Sequence, residues 1–228
     1  MFDKLYRKST INRINKKYKL LGYDKKNKAT IFLNCRLITT ILVFILFMLN
    51  SDKGYIYGPI VSILLYISFE YVLDNKIKKR ANKLNYEAIF YFQVLALTLE
   101  AGKNLQGGIE LASKSIDNEL SQEFIKTLNE VKMGQSLTQS LTNMKSRIPS
   151  EEINTVLLNI TQSQIFGNNI IDSLNNQIDY LRDKKLLNIK GKINKMPVKI
   201  SVISVIFIIP IVLLLILGPV VINLLINT

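Results

Sequence analysis

The stretch "GQSLTQSL", residues 134–141, contains no acid, no base and no catalytic pair, yet the chain carries its pattern three times. The other copies are GKNLQGGI, which starts at residue 102, and GNNIIDSL, which starts at residue 167, so the starts lie 32 and 33 residues apart. A repeat of this period is typical of one supersecondary unit that is copied along the chain. The phrase therefore predicts architecture before it predicts chemistry.

Each copy of the phrase reads as the end of one helix followed by the start of the next. The leading glycine can adopt the left-handed conformation that ends a helix, and the polar residue two positions later can accept backbone hydrogen bonds as an N-cap. These predicted turn residues are Gly102 and Asn104, Gly134 and Ser136, and Gly167 and Asn169.

The remaining positions of the phrase predict how the helices pack. Aliphatic residues at positions four and eight lie one turn apart on one face, and the small residues Gly108, Ser140 and Ser173 let neighbouring helices approach closely. We expect three helical hairpins packed as a bundle. A tetratricopeptide array has a similar period, but its tryptophan and Leu-Gly signature is absent. The expected helices run near residues 78–101, 104–115, 118–133, 136–147, 150–166 and 169–196.

Three apolar stretches on either side of this bundle predict membrane spans. Residues 200–227 carry no charge over 28 positions, which exceeds the roughly 20 residues needed to cross the hydrocarbon core. Residues 31–50 and 55–74 are also apolar, and only the polar sequence "NSDKG" separates them. We therefore predict an N-terminal transmembrane hairpin and a C-terminal transmembrane helix.

The basic residues predict the orientation in the membrane. Residues 1–28 carry ten lysines and arginines against two acids, residues 76–83 carry five and residues 182–199 carry seven, whereas the predicted outer turn carries only Lys53. Positive residues mark the cytoplasmic side. We expect a multi-pass protein of the cell (inner or cytoplasmic) membrane, with its N-terminus and bundle cytoplasmic and its C-terminus outside.

The formal net charge of +13 raises the question of the partner. Nucleic acid is not expected, because the charges flank apolar spans and lack interleaved aromatic stacking platforms or a recognisable reading motif. Anionic phospholipid is the expected partner. The N-terminal segment is compatible with an interfacial helix on the inner leaflet and equally with a solvated basic tail.

Together these patterns predict an all-α membrane protein in which a cytoplasmic antiparallel helical bundle lies between an N-terminal transmembrane hairpin and a C-terminal transmembrane helix. The expected domains are a basic N-terminal segment at 1–30, the hairpin at 31–74, the bundle at 75–199 and the last span at 200–227.

Two charges interrupt the predicted hairpin. Arg36 lies 14 residues before Asn50, and Glu70 lies 15 residues after Tyr55. At 1.5 Å per residue, both lie roughly 21 to 23 Å below the outer turn. An ionisable group within a span tends to find a partner inside the protein, so we expect an interhelical ion pair. The alternative is that each side chain extends separately to the cytoplasmic headgroups.

Prolines and one glycine interrupt the path from the bundle into the last span. A proline removes a backbone donor and usually kinks a helix. The expected kinks lie at Pro197, Pro210, Gly218 and Pro219.

Chemistry of its own is not expected of this chain. It has no histidine, a single cysteine (Cys35) and no cluster with metal-ligand spacing. Lys103 follows a glycine but lacks the other residues of a phosphate loop. No catalytic residue, cofactor or metal is predicted, and the protein is not expected to be an enzyme.

Two acids lie near the first turn, Glu100 and Glu110. They are compatible with a contact to a partner or an ion, and also with a solvated helix face. Four further acids are expected on the surface, namely Asp117, Glu119, Glu123 and Glu130.

An ordered set of motifs runs from "LEAG" at residues 99–102 through the "GQSL" and "FGNN" turns and the basic helix to "MPVKI" and "LGPVV". This set resembles the type II secretion F-domain family, specifically its Tad-type (TadC-like) branch. The resemblance covers roughly residues 83–222. The chain departs from the family at one place, since members often carry an acid before the third turn glycine, where this chain has Gln162 and Gln164.

The resemblance implies an inner-membrane platform protein of a type II secretion or Tad-type pilus assembly system. Such a platform couples a hexameric cytoplasmic secretion ATPase to the extraction of pilin-like subunits and to fibre assembly. It works with a sister platform protein or as a homo-oligomer, and the helix turns, including Lys103, are the expected contact points. The alternatives are a membrane scaffold or receptor without a motor, and a small transporter subunit.

Overall fold

The computed structural model describes residues 8–23, 27–50, 54–166 and 169–226, and within these ranges the chain forms α-helices and no strand. This confirms the expected all-α fold. The helices are α1 Lys8–Leu20, α2 Asn27–Asn50, α3 Gly54–Glu100, α4 Leu105–Ser115, α5 Glu119–Lys132, α6 Leu137–Lys145, α7 Glu151–Phe166, α8 Ile170–Asn194 and α9 Met196–Ile226.

The chain divides into two compact units, Met1–Ile178 and Asp179–Thr228. Within the described residues, the first unit holds α1 to α7 and the start of α8, and the second holds the rest of α8 and α9. Three stretches are long and apolar enough to cross a membrane: Ala29–Leu49, Ile56–Glu100 and Ile170–Pro219. These stretches support the prediction of a membrane protein that spans the bilayer.

The N-terminal hairpin and the bundle share one helix. The sequence led us to expect separate helices at 55–74 and 78–101, but α3 runs without interruption from Gly54 to Glu100 over 47 residues. The expectation was wrong because residues 74–78 contain neither glycine nor proline, and the only proline inside α3, Pro59, lies near its start. At 1.5 Å per residue this helix is roughly 70 Å long.

The bundle packs around the C-terminal half of α3. In chain order, α4 packs on α3, α5 on α4, α6 on α5 and α7 on α6, and α3 also contacts α5 and α7. Its centre holds the rings of Tyr91 and Phe124, which stack with centroids 4.4 Å apart. The Tyr91 hydroxyl forms a hydrogen bond with the Ser113 hydroxyl at 2.8 Å, so this buried polar group is satisfied. Helices α3 and α5 run in the same direction, because Arg80 contacts Glu119 and, further along both helices, Tyr91 stacks on Phe124. The C-terminal ends of α3 and α5 therefore lie at the same end of the bundle.

Two glycines end helices where the repeated phrase placed them. Gly102 has φ +83° and Gly134 has φ +97°, which is the left-handed region that suits glycine. After Gly102 the Lys103 N–H donates to the Thr98 carbonyl at 3.2 Å, and after Gly134 the Gln135 N–H donates to the Glu130 carbonyl at 3.2 Å. Gly167, the third predicted glycine, lies outside the described residues.

The predicted caps follow these turns. The Asn104 side chain accepts from the Gly107 N–H at 2.8 Å, and the Ser136 hydroxyl accepts from the Gln139 N–H at 3.2 Å. In the third copy the Asn169 side chain accepts from the Ile171 N–H at 3.1 Å. Behind the first turn, a Cβ on Gly108 would lie 2.9 Å from the Thr98 hydroxyl oxygen, so only glycine lets α4 approach α3 this closely.

Helix α1 packs on the base of the hairpin. Its buried residue Ile14 forms a small core with Ala29 and Leu33 of α2. The Lys17 ammonium group lies 2.6 Å from the Asp74 carboxylate of α3, which fixes the helix from a second side. Residues 8–20 are therefore an ordered helix whose apolar side faces protein, and its contact with a bilayer remains a prediction.

The turn geometry predicts the effect of adding one methyl group. No atom lies within 4 Å of the position that a Cβ would take at Gly102 or Gly134, so alanine there meets no clash and is strained only in its backbone. We expect Gly102→Ala and Gly134→Ala each to cost about 1 kcal/mol, measured by thermal unfolding of the full chain in detergent. Gly191 in α8 is equally open and has no positive φ, so Gly191→Ala is the matched control and should not lower the melting temperature. Wild-type melting of both turn variants would contradict the capping role.

Candidate functional site

A buried cluster of charges lies where α1, α3 and α5 meet, at the opposite end of the bundle from the glycine turns. Its centre is Arg80 of α3, which is 7% exposed. The Arg80 Nε donates to the Glu119 carboxylate at 2.6 Å, and its Nη2 donates to the Glu123 carboxylate at 3.1 Å. Its Nη1 donates to the backbone carbonyls of Leu20 and Arg147. One guanidinium thus contacts the end of α1, the first turns of α5 and the connection between α6 and α7.

Glu123 links this arginine to a second one. The Arg147 Nε donates to Glu123 Oε2 at 3.2 Å, while Arg80 contacts Oε1, so one carboxylate bridges two guanidinium groups. Arg147 also contacts Glu130 at 2.5 Å and the Thr127 hydroxyl at 3.2 Å. Glu123 is only 2% exposed, and a buried charge of this kind requires such full pairing. We call Arg80, Glu119, Glu123 and Arg147 the Arg80 hub.

Exposed lysines surround the hub. Lys83 lies 3.0 Å from Glu119, and Lys126 lies 2.9 Å from Glu123, with side chains 61% and 50% exposed. Burial alone would raise the pKa of Glu119, but the hydrogen bonds from Arg80 and Lys83 outweigh burial and hold this pKa below its ordinary value. The Glu119 carboxylate is therefore charged at neutral pH, as its ion pairs with Arg80 and Lys83 require.

The hub corrects one expectation from the sequence. Glu123 was expected on the surface, and this was wrong because the residue lies on the side of α5 that carries Leu120, Phe124 and Leu128 into the core. Asp117 is exposed as expected, and Glu119 is partly buried. The sequence spacing could have indicated that Glu123 is buried, since Glu123 falls three residues after Leu120 and one before Phe124. Its arginine partners come from distant parts of the chain and left no local pattern.

A polar cleft of about 610 Å³ borders the hub, lined by residues of the α1 end, α3 and α5. Cations and carboxylates of this lining face one another. Gly22, which follows α1 and has φ +80°, is also part of the lining. A Cβ on Gly22 would lie 3.1 Å from the Arg80 Nη2. Among the described residues, no three histidine, cysteine, aspartate or glutamate side chains converge as a metal site would require. The paired charges are suited to holding α1, α3 and α5 together.

The structure brings together the two charges within the hairpin. Arg36 is 3% exposed, and its Nη1 lies 3.6 Å from the Glu70 Oε1. This distance allows electrostatic attraction but exceeds a hydrogen bond. The guanidinium carbon lies 3.5 Å from the centroid of the Tyr66 ring, so the arginine also stacks on an aromatic face. The Glu70 side chain remains 40% exposed.

The predicted turn residues lie at the far end of the bundle. Gly102, Lys103, Asn104, Gly134 and Ser136 are all exposed, and Met133 beside the second turn is 85% exposed. Because α3 and α5 end at the same end of the bundle, the two turns share one surface. Asn169 is exposed too, and Gly167 lies outside the described residues.

Residues 91–218 match the family model of the type II secretion system (T2SS), protein F. The match covers more than half of the chain, from the centre of the bundle through most of α9. The chain belongs to this family. The F family comprises membrane platform proteins of secretion and pilus systems, and its members are not enzymes. No curated protein and no solved structure that was compared with the chain matches it.

The family match places the hub at a boundary within this F-family protein. Glu119, Glu123 and Arg147 lie inside the matched residues, whereas Arg80, α1 and α2 precede them. The hub therefore joins the family domain to the N-terminal helices through side chains, in addition to the covalent connection through α3.

The predicted kinks lie in the second unit of the F-family protein. Helix α9 continues through Pro210, Gly218 and Pro219. Pro197 is the second residue of α9, where the backbone N–H has no partner within the helix, so a proline there costs no intrahelical hydrogen bond. Kinks at these positions remain predictions. In the basic part of α8, Arg182 lies 3.3 Å from Asp179, and the Lys184 ammonium group contacts the Tyr180 hydroxyl at 3.2 Å.

The Arg80 hub predicts that truncation of Glu123 strongly destabilises the protein. Replacing Glu123 by alanine leaves two buried guanidinium groups without their shared carboxylate, and breaking a buried pair of this kind costs about 3 kcal/mol or more. We expect a clear drop in the melting temperature of the full chain in detergent. The matched control is Glu110→Ala, which removes an exposed glutamate paired with Lys114 at 2.8 Å and should change the melting temperature little. Equal effects of the two substitutions would contradict the hub.

The contact between Arg36 and Glu70 predicts that substitutions of the two residues have non-additive effects in a double-mutant cycle. Glu70→Leu leaves a buried guanidinium without its counter-charge, and Arg36→Leu leaves a carboxylate within the membrane-spanning hairpin, so each should lower the amount of folded protein that accumulates in membranes. The double variant removes both charges and should recover part of that loss. Strictly additive losses would show that the two side chains act as independent anchors.

Proposed function

We propose that this F-family protein is the cytoplasmic-membrane platform of a Tad-type pilus assembly system, and that it couples a secretion ATPase to the extraction of pilin subunits. The observation that carries the proposal is α3, which continues from the apolar hairpin into the family domain. A push received by the bundle can then reach the hairpin along one helix. The Tad-type assignment rests on the ordered motifs from "LEAG" to "LGPVV".

Charge and helix length support the orientation that we propose. Basic residues flank the spans on the side of the bundle, which favours a cytoplasmic bundle and an outer C-terminus. From Asp74 at the base of the hairpin to Glu100 at the first turn, α3 covers 26 residue steps, or about 40 Å. The glycine turns therefore stand well away from the bilayer, where a cytoplasmic ATPase can reach them.

In this proposal, the Arg80 hub passes movement of the bundle to α3. Arg80 contacts α1, α5 and the connection between α6 and α7 at the same point of α3. A displacement of α5 or α6 is then passed to α3 near the membrane as well as along its length. Pilin-like subunits, and a second platform chain or a copy of this one, are the partners that would respond to this movement in the bilayer.

Copurification with the candidate ATPase tests the proposal. The full chain in detergent should retain the candidate secretion ATPase. A double variant at the exposed turns, Lys103→Glu with Met133→Asp, should retain at least about fivefold less ATPase, since the loss of one central interface contact costs about 1 kcal/mol or more.

The control for this experiment is Lys114→Glu, which reverses an exposed lysine at the other end of α4 and should retain the ATPase normally. If the wild-type chain retains no ATPase, the coupling function is wrong and a scaffold without a motor is favoured. If the turn variant binds normally, the ATPase contacts another surface.

A further inference from the structure

An aromatic groove lies where α1, α2 and α3 meet at the base of the hairpin. It encloses about 470 Å³, and its lining includes Tyr18, Tyr23, Phe32, Phe69, Val72 and Lys76. The rings of Tyr18 and Phe32 meet edge to face with centroids 5.8 Å apart, and those of Phe32 and Phe69 do so at 6.1 Å. These contacts hold the aromatic wall in place and leave the groove open beside it.

The groove lies at the level where the apolar spans end. Phe32 comes three residues after Ala29, where the apolar stretch of α2 begins, and Lys76 opens the basic stretch of α3 at residues 76–83. Tyrosine and other amphipathic rings are enriched at this headgroup level of a membrane, with one end in apolar surroundings and the other in water. The groove therefore faces the boundary between acyl chains and headgroups.

Lys76 gives the groove its charge. Lys17, nearby on α1, is neutralised by Asp74 at 2.6 Å, and Glu70 lies next to Arg36. By contrast, no carboxylate pairs with Lys76 in the part of the chain that the structure describes, and its side chain is exposed. A cation that has no carboxylate partner among the described residues, placed beside an aromatic wall, is complementary to a ligand with an anionic head and an apolar body.

We propose that this aromatic groove binds one anionic phospholipid, with the headgroup phosphate at Lys76 and the first acyl carbons against the rings of Phe32 and Phe69. The bound lipid fills the space between α1 and the hairpin and ties the end of α1 to the membrane surface. This binding site is independent of the ATPase and pilin contacts. It requires only that the hairpin lie in a bilayer.

Native mass spectrometry of the full chain tests this inference. The protein is released from mixed micelles that contain equal amounts of phosphatidylglycerol and phosphatidylcholine, and the retained lipids are counted. We expect the wild-type chain to retain phosphatidylglycerol preferentially. Lys76→Ala should reduce that retention about fivefold, the change expected from losing one lysine contact at an anionic surface. Val72→Trp should reduce it as well, because the larger ring fills the groove.

Two matched controls accompany these variants. Lys79→Ala removes an exposed lysine of the same helix outside the groove, and Ile63→Trp adds the same ring on another side of α3. Both should retain phosphatidylglycerol as the wild type does, and circular dichroism checks that every variant is folded. Equal retention of the two lipids by the wild type, equal losses in variants and controls, or displacement of the lipid by inorganic phosphate would each overturn the proposal.

Discussion

The arrangement of the helices in the first unit depends on the ion pairs that the Glu123 carboxylate forms with Arg80 and Arg147. It is buried between the guanidinium groups of Arg80 and Arg147, so its position fixes both arginines, and through them the end of α1, the middle of α3 and the connection before α7. A buried ion pair adds little net stability compared with apolar packing, but its geometry is demanding. The hub therefore determines where the helices of the bundle base lie, while the stacked rings of Tyr91 and Phe124 supply apolar packing above it.

Helix α3 connects the Arg80 hub to the apolar hairpin, so the family domain and the hairpin share one continuous helix. A break between residues 74 and 78 would have allowed the hairpin and the bundle to move separately. The helix instead continues, and Arg80 binds the bundle to it only a few residues beyond Asp74. Lys17 bonds to Asp74 from α1 at the same level. Covalent continuity and side-chain contacts thus reinforce each other where the apolar hairpin passes into the bundle.

The sequence revealed the features that depend on local physics and missed those that depend on distant contacts. Gly102 and Gly134 could be placed because a left-handed glycine followed by a capping residue is a local pattern. Arg36 and Glu70 could be paired because a charge within an apolar span is unusual and its depth can be counted. Glu123 was misplaced because its arginine partners lie 43 and 24 positions away in the chain. The continuity of α3 was missed because the apolar span at 55–74 and the bundle helix at 78–101 were predicted separately, although residues 74–78 contain neither glycine nor proline to end a helix.

The central claim is that the hairpin and the family domain are joined by one unbroken helix held at the hub. Amide hydrogen exchange of the full chain in lipid nanodiscs measures this directly, because an amide exchanges slowly only while its helical hydrogen bond persists. The account predicts that the amides of residues 74–84 are protected to the same degree as those of residues 85–95 in the bundle core. Rapid exchange confined to residues 74–84, between two protected segments, would contradict it and would show that a flexible joint separates the hairpin from the bundle.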